Sequence, residues 1–526
     1  MATLETPSVA VCKPPFQVDP DNRRVITRMF RLNPPRAARV VERVLTFGQA
    51  DVERMCAALL EDYGHRHRHI REVFRRHYAA VAKQLRLADD HLSKEQELLI
   101  GAYFTMEYAV ESAALFNPSI VPHPEQSGVP DGQVRVVLSL RAVGEGHVSS
   151  IEFRAAMIDV TGAPKLEPVN TFVASAAVRP DQYYDKHLYS LKLFKLMAPN
   201  EESGQVRQVL AYSQAEMTLG QLEDRFTLDE LRYAMWTLRA QYEGNMDVLE
   251  NTFSSMLWLA RSNYEILFEQ DSLLSERVIF PISTTEAAGV EDARFVRFVE
   301  DDGQITYYAT YTAYDGRNIL TQLLETKDFL RFKVHTLNGV YAESKGMALF
   351  PRRVNGRYAM ISRVDGENLF IMYSDNIHFW DHVEPLQTPL FAWEAVQIGN
   401  CGSPVETDAG WLLLTHGVGA MRRYCIGAVL LDLDDPSKII GRLPEPLLAP
   451  AQDEREGYVP NVVYSCGAML HNDLLVIPYA FSDSASRVAT VPISKLLDAL
   501  TSSAARITEG NTPTPKKTFP MESSIE

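Results

Sequence analysis

Apolar and polar positions follow two different periods along this chain, and the change of period divides it. From about Gln49 to Leu115, apolar residues recur three and four apart in "ADVERMCAALLEDYGHRHRHIREVFRRHYAAVAKQLRL" and "SKEQELLIGAYFTMEYAVESAALF", with few β-branched residues, which predicts helices. Ser93 and Gln96 have capping-box spacing ahead of the second run. A second helical block is predicted over "FTLDELRYAMWTLRAQYEGNMDVLENTFSSMLWLARSNYEILF", where Thr227 and Glu230 repeat that spacing.

Elsewhere the pattern is that of strands, in a unit of strand, turn, strand, connector, strand. It occurs as "VRVVLSLRAVGEGHVSSIEFRAAMIDV" from Val134, "ARFVRFVEDDGQITYYATYTAYDGRNILTQLLE" from Ala293, "MALFPRRVNGRYAMISRVDGENLFIMYSD" from Met347, "GSPVETDAGWLLLTHGVGAMRRYCIGAVLLDL" from Gly402 and "NVVYSCGAMLHNDLLVIPYAFSDSASRVATVPI" from Asn461. Asp-Gly and Asn-Gly turns mark the hairpins of the second and third units. The last four units begin about 54 to 59 residues apart, the period of a propeller blade. The expected fold is therefore mainly β, a five-bladed β-propeller with accessory α-helical segments at the N-terminus and inserted after the first blade. The expected regions are 1–115, mainly helical; 116–500, the propeller, with a helical insertion at about 220–275; and 501–526, a mobile tail rich in Ser, Thr and Pro.

Composition narrows the partners. The chain of 526 residues carries a formal charge of -16, which argues against nucleic acid or an anionic membrane as the main partner and leaves a neutral or small ligand. Five widely spaced cysteines without a C-x-x-C pattern indicate neither a disulfide framework nor a zinc site. With no basic start leading into an apolar run, the expected location is cytoplasmic. "HRHRH", with His65, His67 and His69, resembles a metal tract, but its arginines and helical setting favour a solvated helix face. Among the sites weighed, no metal is expected.

Candidate chemistry begins at "GVEDARFVRF", Gly289 to Phe298. Strand alternation puts Glu291 and Ala293 on one face and Asp292 and Arg294 on the other. Carboxylates at the mouth of a buried strand need partners, and an Asp–Arg pair at a strand end satisfies that structurally. A propeller also gathers its inner strands round one channel, which would bring Asp292 toward polar residues of other blades.

"GVEDAR", "YTAYDG", "KGMALFPRRVNGRYAMISR", "THGV" with "YCIGAVLLDLDDPSKIIGR", and "GYVPNVVYSCGAML" with "YAFSD" together resemble glycoside hydrolase family 130, the β-mannoside phosphorylases and β-mannosidases, over about Asn117 to Leu500. The resemblance implies inverting attack at the anomeric carbon of a β-mannosyl residue, with Asp292 as general acid acting through a mannose hydroxyl and Arg294 tuning it. It implies sugar contacts from Asn117, Arg141 and Asp483, with Arg141 also near phosphate in phosphorylases. Lys345, Arg363, His416 and Tyr424 match positions that hold phosphate in phosphorylases. Glu291 belongs to the motif, and Ser150, in "GEGHVSS", is a candidate sugar contact at the first blade's mouth.

The nucleophile divides the family. Phosphate needs cations and donors; water needs a carboxylate base. "NILTQLLETKD" has Leu320 to Gln322 where phosphorylases carry an arginine and adds Glu325, while "SRVDGENL" brings Glu367. With Glu325 and Glu367 as candidate catalytic carboxylates, the expected activity is an inverting β-mannosidase releasing mannose from the non-reducing end of β-mannosides, β-1,2-linked ones foremost. The alternatives are a β-mannoside phosphorylase, with inorganic phosphate as co-substrate, and a propeller that binds glycans without catalysis. No cofactor is otherwise implied. The helical blocks are expected to pack on the propeller, with a covered channel mouth or a homo-oligomer interface as the sharper alternatives.

Overall fold

The computed structural model describes residues 9–87, 92–180, 183–197 and 205–509. Its centre is built from five successive antiparallel units. The first unit contains strands Ala114–Pro122, Val134–Val143, Ser149–Ile158 and Pro164–Leu166, so it opens one strand earlier than its repeat pattern predicts. The second runs Gly289–Val299, Ile305–Tyr314, Ile319–Thr326 and Arg331–Thr336, and it shares a sheet with the first through a parallel pairing of Gly289 with Ser149. The third, fourth and fifth form separate sheets around Tyr358–Ser362, Gly410–Val418 and Leu474–Phe481.

Each unit is hydrogen-bonded to the next. The Phe295 amide donates to Ser119 Oγ at 3.1 Å, the Val299 amide to the Pro351 carbonyl at 2.9 Å, and the Ile398 amide to that of Glu367 at 2.9 Å. The Tyr424 amide reaches the Asn461 carbonyl at 3.1 Å, and the Cys466 amide returns to Pro118 of the first unit at 2.8 Å. The N-terminal segment adds a last strand to the fifth unit, Gln17–Val18 beside Ala485–Pro492. Two residues are too few to leave a periodic signal.

The helical blocks have their own cores. In the N-terminal block, Asn33 accepts from the Arg36 amide ahead of Pro34 and Pro35, and Ser93 and Gln96 form the predicted capping box of Lys94–Tyr103. Thr227 and Glu230 do the same for Leu228–Gln241. The inserted block starts earlier than the expected 220, with Lys186–Leu196 and Gln205–Leu219 preceding Leu228–Gln241 and Met246–Ala260. "KHLYSLKLFKL" contains no β-branched residue and Asp185 caps it by accepting from the Leu188 amide, signals for a helix that the repeat pattern overshadows. Ala177–Pro180 and Tyr264–Leu267 pair with each other at its base, on the outer edge of the second unit.

"HRHRH" is not a solvated helix face. It breaks the helical run between Gln49–Gly64 and Ile70–Leu85, and its residues turn to carboxylates: His67 Nε2 lies 2.7 Å from Glu107 and Arg68 bonds Glu276 at 2.9 Å. At the other end, the tail expected from residue 501 begins as helix Ile493–Glu509. Leu496, Ala499 and Leu500 pack into the core of the fourth and fifth units, which explains the departure; residues 510–526 of that expected tail lie outside the described residues. Among the described residues no helix is long and apolar enough to cross a membrane.

Candidate active site

Two β-bulges make the site. Pairing slips between Phe116 and Ser119 in the first strand of the first unit, and between Glu291 and Arg294 in the first strand of the second. The slipped residues Asn117 and Asp292 have left-handed backbones, φ 49° and 55°, a conformation Asn and Asp tolerate better than most residues. The bulge overturns the alternation expected of "VEDAR": Glu291, Asp292 and Arg294 all line one cavity of about 280 Å³. Asp483, φ 50°, joins them from the fifth unit. Such strained positions cluster where side chains must be aimed.

Asp292 Oδ1 accepts from Asn117 Nδ2 at 2.7 Å and from Arg141 Nη1 at 3.4 Å. Glu291 bridges two cations, with Arg141 Nη2 at 2.9 Å and Lys345 Nζ at 2.7 Å. Arg294 is buried beneath; it donates to the Asp292 carbonyl at 3.3 Å and to the Tyr464 hydroxyl at 2.6 Å. Burial alone would raise the pKa of Asp292, but Arg141, Arg294, the Asn117 amide and Lys345 outweigh it and hold the carboxyl below its ordinary value. Asp483 goes the other way: burial and the neighbouring Asp292 charge push it up to about 6. The pair thus places one ionised carboxylate beside one that titrates near neutrality.

His416 is buried and neutral, because burial and the positive charges of Arg363 and Arg294 drive its pKa well below the usual 6.5. Its Nδ1 lies 3.3 Å from the Asn400 carbonyl and must carry the proton, which leaves Nε2 as an acceptor. Gly399 makes room for the ring, since a Cβ there would lie 2.2 Å from His416 Cε1. Tyr424 stacks on the imidazole at 5.9 Å, and Tyr464 lies against it at 4.9 Å.

Of the expected site residues, Asn117, Arg141, Glu291, Asp292, Arg294, Lys345, Arg363, His416, Tyr424 and Asp483 all line the cavity. Three do not. Glu325 sits on the third strand of its unit, 3.7 Å from Lys333, whereas this unit's cavity-lining residues come from its first two strands. Glu367 is exposed in the turn closed by Asp365, which accepts from its amide at 2.9 Å. Ser150 is buried within its strand opposite Ala142. Sequence reasoning passed over Thr312, Asn400, Arg422 and Tyr464. "RRY" ahead of Tyr424 was the available signal for Arg422; Tyr464 carries none beyond its place in "NVVY".

The charges do not balance. Five cationic side chains, Arg141, Arg294, Lys345, Arg363 and Arg422, face three carboxylates, an excess of two positive charges in a chain whose net charge is -16. Glu291 and Asp292 occupy Arg141 and Lys345, whereas Arg363 and Arg422 make no ion pair among the described residues. A neutral sugar does not need that excess; an anion does. Among the described residues no group of His, Cys, Asp and Glu is arranged to hold a metal ion.

The family model for glycoside hydrolase family 130, described as beta-1,4-mannooligosaccharide phosphorylase, matches residues 247–502. A 1,2-beta-oligomannan phosphorylase of Thermoanaerobacter sp. is 32% identical over 250 residues, 45% of this chain and 81% of that protein. A beta-1,2-mannobiose phosphorylase of the same organism is 37% identical over 216 residues, 40% of this chain and 69% of the relative. Among solved structures, the beta-1,2-mannobiose phosphorylase from Listeria innocua with beta-1,2-mannobiose aligns with a TM-score of 0.43 and 21% identity, covering 75% of this chain and 93% of that one.

Proposed function

This chain belongs to glycoside hydrolase family 130, and we propose that it is a β-mannoside phosphorylase acting on β-1,2-linked mannosides, its five units arranged as the blades of a propeller around the catalytic cavity. The observation that carries the reading is the excess of positive charge, with Arg363 and Arg422 unpaired among the described residues. The expected hydrolysis loses its support, because Glu325 and Glu367, the carboxylates that would activate water, lie away from the cavity. The ring of hydrogen bonds from unit to unit, returning from Cys466 to Pro118, supports the propeller.

On this reading a phosphate oxygen attacks the anomeric carbon of the non-reducing mannosyl residue on the face opposite the glycosidic oxygen. The bond to that oxygen breaks, and the Asp292 proton passes to it, through a mannose hydroxyl as the family resemblance implies. The products are mannose 1-phosphate with inverted configuration and the shortened sugar. Arg363 and Lys345 hold phosphate charge, and His416 Nε2 accepts from a phosphate or sugar hydroxyl. Asn117 fixes Asp292, and Arg141 and Asp483 lie at the sugar. Incubation with β-1,2-mannobiose decides it: mannose 1-phosphate forming only when phosphate is present is the expected result. Free mannose released at the same rate without phosphate, and no sugar phosphate, overturns it.

A further inference from the structure

Among the described residues the inserted helical block has no group in the cavity, yet it grips the segment that brings Lys345 there. That segment leaves strand Arg331–Thr336 at Leu337 and reaches the cavity at Lys345 and Gly346. A left-handed glycine stands at each end, Gly339 with φ 101° and Gly346 with φ 91°. At Gly339 a Cβ would lie 2.1 Å from the Trp380 carbonyl oxygen, so its root is pinned by close backbone approach.

Between the glycines the Tyr341 amide donates to the Trp380 carbonyl at 3.3 Å, and helix Lys186–Leu196 contacts Val340, Ala342 and Glu343. Lys195 Nζ donates to the Val340 carbonyl and lies 3.1 Å from Glu343. Lys192 Nζ points at the Ala342 carbonyl at 3.5 Å, although the residue is only 2% exposed. The two lysines are three apart and share one helix face. Burying an ammonium is costly, and an apolar residue would serve packing alone better. What the lysines supply is a direct hold on main-chain carbonyls. Beyond them, Ser344 is tied to both neighbouring units: its carbonyl accepts from Thr321 Oγ1 at 3.2 Å, and its hydroxyl from the Arg363 amide at 3.4 Å. Lys345 and Arg363, two of the cavity's cations, thus hang on one strap.

We propose that Lys192 and Lys195 are positioning residues, through which the inserted helical block fixes the strap from Leu337 to Gly346 and so sets the site's grip on phosphate. The functional half rests on the phosphorylase reading; the mechanical half does not. Two readouts separate them. Hydrogen exchange of peptides spanning residues 337–346 should quicken about tenfold in Lys192→Met and Lys195→Ala and return toward normal in Lys195→Arg, with the rest of the protein unchanged. In initial-rate assays the phosphate KM should rise roughly five- to tenfold, the order expected for the loss of about one ordinary hydrogen bond, while the mannoside KM stays within about twofold. Unchanged exchange overturns the inference, and so does quickened exchange with an unaltered phosphate KM in a phosphate-dependent enzyme. If the wild type proves indifferent to phosphate, the phosphorylase reading falls and exchange alone decides the strap. Should Lys192→Met fail to fold, Lys195→Ala, at a partly exposed position, carries both measurements.

Discussion

Replacing Asp292 by asparagine tests the centre of the mechanism with little disturbance of the fold. Asp292 Oδ1 receives the Asn117 amide at 2.7 Å and Arg141 at 3.4 Å, and an asparagine oxygen can accept from both, though without the charge that strengthens the Arg141 contact. Among the described residues Oδ2 has no partner, so it is the oxygen free to carry the proton if Asp292 acts as the acid, and the amide that replaces it cannot give one up. General-acid loss costs about 10²- to 10⁴-fold in kcat, or roughly 3–5 kcal/mol of transition-state stabilisation. The same change raises the cavity's positive excess from two to three charges, so phosphate should bind as well or better. The expected signature is a collapsed kcat with an unchanged or lower phosphate KM, measured as mannose 1-phosphate released from β-1,2-mannobiose. A nitrophenyl β-mannoside, whose leaving group needs little protonation, should lose less than about tenfold. Full activity in Asp292→Asn, or equal losses on the two substrates, refutes the assignment.

Arg363→Met should raise the phosphate KM by roughly tenfold or more with a small effect on the mannoside KM, since it removes an unpaired cation; steady-state kinetics with each substrate varied would check it. Glu325→Gln and Glu367→Gln should each keep kcat within about twofold, and a large loss in either would restore a hydrolytic base to consideration. Asp483→Asn bears on stability: with its pKa pushed up from the usual 3.8 to about 6, the folded protein holds that proton more tightly than the unfolded chain. The contribution is therefore full below the unfolded value and lost as pH rises through about 6. Denaturant unfolding should find Asp483→Asn more stable than the wild type at pH 8, by at most ~3 kcal/mol, and little changed near pH 4.

Features written in local chemistry were legible. Ser93 with Gln96 and Thr227 with Glu230 announced helix starts that the structure keeps, because a cap is decided within four residues. The turns at Gly303 and Gly356 take the left-handed backbone their Asp-Gly and Asn-Gly pairs require. What depends on register was not legible. The bulge at Asp292 turns Glu291, Asp292 and Arg294 into one cavity, which alternation forbids. Glu325 shows the converse: it lies on a strand of the expected unit, but composition does not say which strand of that unit lines the cavity. Which strand lines the cavity follows from strand order, which is a long-range property.

A general acid must hold a proton when the bond breaks, yet in the unliganded site Asp292 is kept ionised by Arg141, Arg294, Asn117 and Lys345. On the phosphorylase reading the co-substrate resolves this. One negative charge about 6 Å from a carboxylate, at an effective dielectric constant of ~20, disfavours its ionised form by about 3 kcal/mol. Phosphate brings that charge and draws on the same cations, so its binding shifts Asp292 toward the acid form. By reciprocity, the protonated site binds phosphate more tightly by the same factor. Water carries no charge and would leave the acid unloaded, so on this reading the charge excess favours phosphate as the nucleophile and also primes its partner. Glu291 then has a part beyond the motif: at 2.9 Å from Arg141 and 2.7 Å from Lys345, it holds two of those cations at the rim before phosphate arrives.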